Sequence, residues 1–127
     1  KMGATTNQDS GRTFQATGVA IPAYSLVTVD SSGTIAASGD NATEQIIGVT
    51  TEDVAASGYG NVRLLNAGGT IQVLTGGDTI AIADTCYVDG SGKVGTDSSN
   101  TKIGVALEAS SADGDVIELI PHQTFLA

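Results

Sequence analysis

Apolar and polar residues alternate along this chain in short runs that glycine, aspartate and serine break up. Val27 and Val29 flank Thr28, Val62 and Leu64 flank Arg63, and Ile71 and Val73 flank Gln72. A period of two marks a strand with one buried face. The 3.6-residue apolar period is not sustained over a helix length anywhere in the sequence, so the chain is predicted to be all-β. The expected core is Val27, Val29, Ile35, Ile47, Val49, Val62, Leu64, Ile71, Val73, Ile82, Val88, Val94, Ile103, Val105, Val116 and Leu119.

The pattern occurs twice. From Ile21 to Leu65 the blocks are Val29-Asp30-Ser31-Ser32-Gly33-Thr34-Ile35, Ile47-Gly48-Val49 and Gly60-Asn61-Val62-Arg63-Leu64. From Ile82 to Ile120 they are Val88-Asp89-Gly90-Ser91-Gly92-Lys93-Val94, Ile103-Gly104-Val105 and Gly114-Asp115-Val116-Ile117-Glu118. The offset between copies runs from 59 (88 − 29) to 56 (103 − 47) and 54 (114 − 60). The Asp-x-Ser-Gly runs supply the backbone angles of a hairpin turn. A glycine within Ile-Gly-Val marks a bulge or a close approach of another backbone. The expected fold is a small single-domain barrel or tulip-like sandwich made of two related hairpin modules. Thr70 to Leu74 is predicted to be a central strand outside both copies.

The N-terminal stretch reads differently. Residues 1–17 are polar and threonine-rich, with Met2 and Phe14 as the large apolar side chains. They are expected to form either a loose terminus or an extended arm that precedes a β domain at 18–127. Thr5, Thr6, Thr13, Phe14 and Gln15 are the candidate contacts of such an arm, which could add a strand to a partner's sheet edge. At the other end, His122-Gln123-Thr124-Phe125-Leu126-Ala127 closes the chain with two large apolar residues.

Composition narrows the function. The 127 residues include 17 glycines but only three Tyr and two Phe, which suits turn-rich β structure. Five basic against 14 acidic residues give a net charge of −9, the wrong sign for a phosphate backbone, so no nucleic acid is expected as a partner. No apolar run approaches the roughly 18 residues of a membrane helix, and no secretory signal is read at the start. Cys86 is the single cysteine and is expected to be a small strand residue, with no disulfide.

Catalytic and metal-binding patterns are missing from the sequence. A Ser-His-Asp triad would have to rest on His122, the one histidine, and there is no Gly-x-Ser-x-Gly elbow. Gly92-Lys93 lacks the rest of a phosphate loop, because Val94 stands where Ser or Thr is needed. The aspartates at 30, 89, 97, 113 and 115 do not follow a calcium-loop spacing and are explained as turn formers. No catalytic residue, cofactor or metal is therefore assigned. A small hydrolase built on paired carboxylates would need a substrate cleft, and the scarcity of aromatics argues against one that stacks sugars.

The stretch from Thr17 to Pro121 resembles the capsid decoration (cement) proteins of tailed bacteriophages. The residues that carry the resemblance are Ala20-Ile21-Pro22, Val29-Asp30-Ser31-Ser32-Gly33, Ile47-Gly48-Val49, Gly69-Thr70-Ile71-Gln72-Val73, Tyr87-Val88-Asp89-Gly90-Ser91-Gly92, Ile103-Gly104-Val105 and Gly114-Asp115-Val116. The resemblance implies a β-barrel or tulip-like domain that sits as a homotrimer on the outer capsid surface of the virion. There it would clamp neighbouring copies of the major capsid protein, with the N-terminal arm as the clamp. Tyr24, Tyr59, Tyr87 and Phe125 are the candidate anchors of the interface between copies. The alternative is a receptor-binding or adhesin module that uses loop residues such as Tyr59.

Overall fold

The computed structural model describes residues 11–39 and 45–122. Among them, the first half of the chain contributes β1 (Gly11–Gln15), β2 (Leu26–Val29), β3 (Ile35–Ala37), β4 (Gly48–Thr50) and β5 (Tyr59–Leu64). A single 3₁₀ turn at Leu65–Ala67 leads to β6 (Ile71–Gly76), β7 (Thr85–Val88), β8 (Val94–Gly95), β9 (Lys102–Ala106) and β10 (Asp113–Pro121). The first five strands form a sheet in the order β1-β5-β4-β2-β3, and the second five close into a barrel. Read around from β6, the barrel order is β6-β10-β9-β7-β8, which is the order of the first sheet repeated. The parallel pairing of Thr75 with Val94 closes the barrel, and a parallel bridge between Ala16 and Ile35 joins the edge strands of the first sheet in the same way.

The repeat thus extends from individual pairings to whole sheets. Ala16 corresponds to Thr75 and Ile35 to Val94, an offset of 59 (75 − 16). The bridge Ile21–Val54 has its counterpart in Ile80–Ser110. Tyr24 and Ala83 occupy the same place with the same left-handed backbone, φ 64° and 77°, and donate to Thr50 and Ala106 respectively. In the last strand Val62 lies opposite Arg12 and Leu119 opposite Ile71, so the offset there is 57 (119 − 62). The offset of 54 read from Gly60 and Gly114 is corrected accordingly. A register shift between Asp113 and Val116 absorbs the difference.

This topology corrects two sequence expectations. The strand assigned to neither copy is β6, the counterpart of β1. The supposed arm therefore contains the first strand of the first module: Gly11 to Gln15 pair with Arg63 to Tyr59, and Phe14 is buried at 8% exposure. A boundary at residue 17 cuts through the sheet, and Phe14 is committed to its own core. That core contains Phe14, Ala16, Ile21, Val27, Ile35, Val54 and Val62.

The Ile-Gly-Val blocks show why glycine recurs. A Cβ at Gly48 would strike the carbonyl of Arg63, and one at Gly104 would strike that of Ile120, the matching position in the next strand. Both are close backbone approaches within the ladder, at ordinary φ.

The halves meet at a joint built on one turn. Gly92, at φ 76°, lies so close to Ser25 and Leu26 that a Cβ would come within 2.8 Å of the serine side chain. Leu26 donates to the Gly92 carbonyl at 2.7 Å, Gly92 to Ser38 at 2.9 Å, and Ser38 to Leu26 at 3.0 Å. Leu74 donates to Tyr24 across the same boundary. Around these bonds Leu26, Ile46, Val49 and Leu65 of the first half join Ile71, Val88 and the barrel interior in one apolar cluster.

Four positions expected in the core are exposed: Val29, Ile82, Val105 and Val116. Ile80 and Ile117 are buried instead of Ile82 and Val116, which follows from the left-handed turn at Ala83 and the register shift before Val116. Ile47 and Leu64 are half-buried, packed against the first core. Val29 and Val105 lie outside, with no described residue covering them.

Two measurements check this packing. Gly48→Ala and Gly104→Ala should each lower unfolding stability by about 1–3 kcal/mol through overpacking, while Gly18→Ala, with open space around it, should leave it nearly unchanged. Phe14→Ala should cost about 3–5 kcal/mol in denaturant unfolding; an unaltered midpoint would show that β1 is dispensable.

Candidate functional surface

Chemistry-bearing side chains come first. Cys86 is buried, and burial, with a further contribution from the Asp84 charge, pushes its thiol up to about 11, so it is a poor nucleophile at neutral pH. His122 is exposed, and its backbone N–H continues the ladder to Ile103. Lys93 makes a 2.8 Å ion pair with Asp113, and its neighbour Gly92 is held in the joint between halves, so the pair serves a turn and not a phosphate. Among the described residues no group of three or more His, Cys, Asp or Glu is placed to hold a metal ion.

Two of the aspartate-rich turns are closed by their own carboxylates. Asp30 accepts from the backbone N–H groups of Ser32 and Thr34 and from the Thr34 hydroxyl, the last at 2.7 Å. Asp97 accepts from the backbone and hydroxyl of Ser99. These bonds, led by the Thr34 and Ser99 hydroxyls, hold both carboxyls below their ordinary value of 3.8. Asp30 and Asp97 thus hold their own turns closed, while Asp113 pairs with Lys93 and Asp115 accepts from the Ser110 hydroxyl.

The residues singled out from sequence do not converge. Thr5, Thr6 and Phe125 lie outside the described residues. Thr13 is exposed on β1, and Gln15 is half-buried with its side-chain amide donating to the Ser57 carbonyl at 3.0 Å. Tyr24 is half-buried at the joint, where its carbonyl accepts from Leu74. Tyr87 is half-buried on β7. Tyr59, at 71% exposure, is the one of these tyrosines that projects freely from the surface.

What the sequence reading missed is an apolar outer face on the second half. Thr85 pairs with Val105, Val105 pairs with Ile120, and Ile82 precedes Thr85. Ile82, Val105 and Ile120 are 65%, 40% and 49% exposed. The signal lay in the repeat, since Val105 aligns with Val49, yet residue type alone does not reveal which copy is covered. Beside the joint runs an open groove of about 620 Å³ lined by Tyr24, Val49, Arg63, Ile71, Glu108 and Glu118 among others. Its polar wall is internally satisfied: Arg63 donates to Gly68 at 2.6 Å and Thr70 to Glu118 at 2.6 Å.

Sheet faces and turn tips are thus what the described residues offer to solvent, the equipment of a β-structured binding module. The chain belongs to the phage cement protein family, whose profile matches residues 5–120. Its fold is that of the head fiber gp8.5 N base in bacteriophage phi29, with a TM-score of 0.70, 21% identity, and coverage of 92% of this chain and 98% of that one. No curated protein matches the sequence. Family membership makes the chain a capsid-associated structural protein of the virion.

The turn carboxylates give a pH expectation. Because Asp30 and Asp97 have folded values below 3.8, their stabilisation is complete above the unfolded value and is lost as pH falls through the folded one. Carboxyl titration by NMR should place both midpoints below 3.8, and Thr34→Val should raise that of Asp30 towards it.

Proposed function

We propose that this chain binds the outer surface of a phage capsid and stabilises it by clamping neighbouring major capsid subunits, and that it acts as a trimer. The observation that carries this reading is the match to the cement family over nearly the whole described fold. The physical features are consistent with it. A compact double module with turns locked by their own aspartates is a rigid spacer, suited to bridging subunits. A net charge of −9 keeps such a protein soluble before it binds and unattractive to packaged nucleic acid. The part of the expected arm that precedes β1, residues 1–10 with Thr5 and Thr6, is the segment proposed to engage the capsid.

A second reading is favoured by Tyr59, whose exposed ring between Gly58 and Gly60 fits a receptor-binding tip. Pelleting separates the two. The chain should sediment with undecorated capsids and raise their thermal disruption temperature. Deleting residues 1–10 should reduce that binding at least tenfold with the melting temperature of the free protein unchanged, and Tyr59→Ala should have no effect. Full capsid binding by the truncated chain would remove the arm from the proposal. Failure of the intact chain to sediment with any capsid, together with Tyr59-dependent attachment to host cells, would favour adhesion.

A further inference from the structure

The repeat places a copy of each side of the internal joint on the outside of the molecule. On the receiving side, Leu26 and Val49 of the first half are covered by the second half; their counterparts are Thr85 and Val105, and Val105 is 40% exposed. On the inserting side, Val88 and the Gly92 turn are buried at the joint; their counterparts are Val29, 42% exposed, and Gly33, around which a Cβ would meet nothing. The turns match in detail, with left-handed glycines at φ 81° and 76° and equivalent bonds from Asp30 to Thr34 and from Asp89 to Lys93. Among the described residues, each molecule therefore carries one uncovered receiving face and one uncovered inserting edge, at opposite halves of the chain.

We propose that copies of this chain associate head to tail, the β7–β9–β10 outer face of one copy receiving the Val29–Thr34 hairpin edge of the next. This deepens the trimer reading above by naming the surfaces. The occupant is a second copy because the fold already demonstrates, inside each chain, that such a face takes such an edge. Ile82 and Ile120 extend the receiving face beyond Val105, adding apolar area that the internal joint does not have at Ala23 and Arg63. An interface of two different patches is heterologous and grows into a closed ring or a filament, depending on the rotation between copies.

Substitutions at other counterparts set its strength. Leu26, Ile46, Leu65 and Ile71 of the joint are matched outside by Thr85, Lys102, His122 and Arg12. Ser25 and Ser38, which face the inserted turn, are matched by Asp84 and Asp97, while the incoming turn carries Asp30. The exposed surfaces are thereby tolerable in water, and the contact between copies is reversible.

The test is the mass of the full chain by sedimentation equilibrium across concentration and salt, with Val105→Asp on the receiving face and Val29→Asp on the inserting edge. The intact chain should associate, and each variant alone should stay monomeric with its melting temperature near that of the parent. Mixing the two variants should restore a 1:1 dimer that grows no further, because each retains the patch the other has lost. A monomeric intact chain at every concentration and salt overturns the proposal, as does association that persists in both variants. A mixture that remains monomeric while the intact chain associates also overturns it, since the interface is then not heterologous. These outcomes are read on pure protein, so they stand apart from capsid pelleting. Loss of capsid binding by Val105→Asp with the intact chain monomeric would assign the face to the capsid instead.

Discussion

The seating of Gly92 against Leu26 and Ser38 decides the architecture. Three backbone hydrogen bonds close a ring there, 2.7–3.0 Å in length, with no room for a side chain on the glycine. Once that turn is seated, Val88 and Ile71 fall against Leu26, Val49, Ile46 and Leu65, and one apolar cluster runs through both halves. Neither module alone would bury those residues. The joint is thus what turns two similar sheets into one cooperative body, and it also fixes which faces remain outside.

Much of this was legible in the sequence. The Asp-x-Ser-Gly turns, the glycines of Ile-Gly-Val and the order of blocks are local signals, set by backbone angles and close approaches that only certain residues permit. The family resemblance rests on the same residues. The relation of β1 to β6 was not legible: Arg12-Thr13-Phe14-Gln15-Ala16 and Ile71-Gln72-Val73-Leu74-Thr75 share no residue type at any of the aligned positions. Only the pairings with β5 and β10 reveal that they do the same job. Burial was equally beyond local reading. Val49 and Val105 are the same residue in the same motif, yet one is 2% exposed and the other 40%, because the difference is made by the other half of the chain.

The comparison of the halves also exposes an internal substitution in the barrel core. Ala16 and Val54 of the first module are replaced by Thr75 and Ser110, whose hydroxyls lie 3.1 Å apart. Thr75 donates to the Ala112 carbonyl and Ser110 to the Asp115 carboxylate, so the buried pair is satisfied and ties the loop before β10 to the barrel. Ser25 and Thr50 do the same in the first half, both donating to the Pro22 carbonyl. On the surface, Asp30 and Asp97 close their own turns, and Ile82, Val105 and Ile120 are left exposed on the second half.

Reconstruction of undecorated phage capsids mixed with the pure chain tests the central claim, that this is a capsid-binding structural protein, most directly. Density for the double module should lie on the outer surface, bridging neighbouring major capsid subunits. Shells that reconstruct bare at saturating protein, or density confined to a tail vertex, would contradict it.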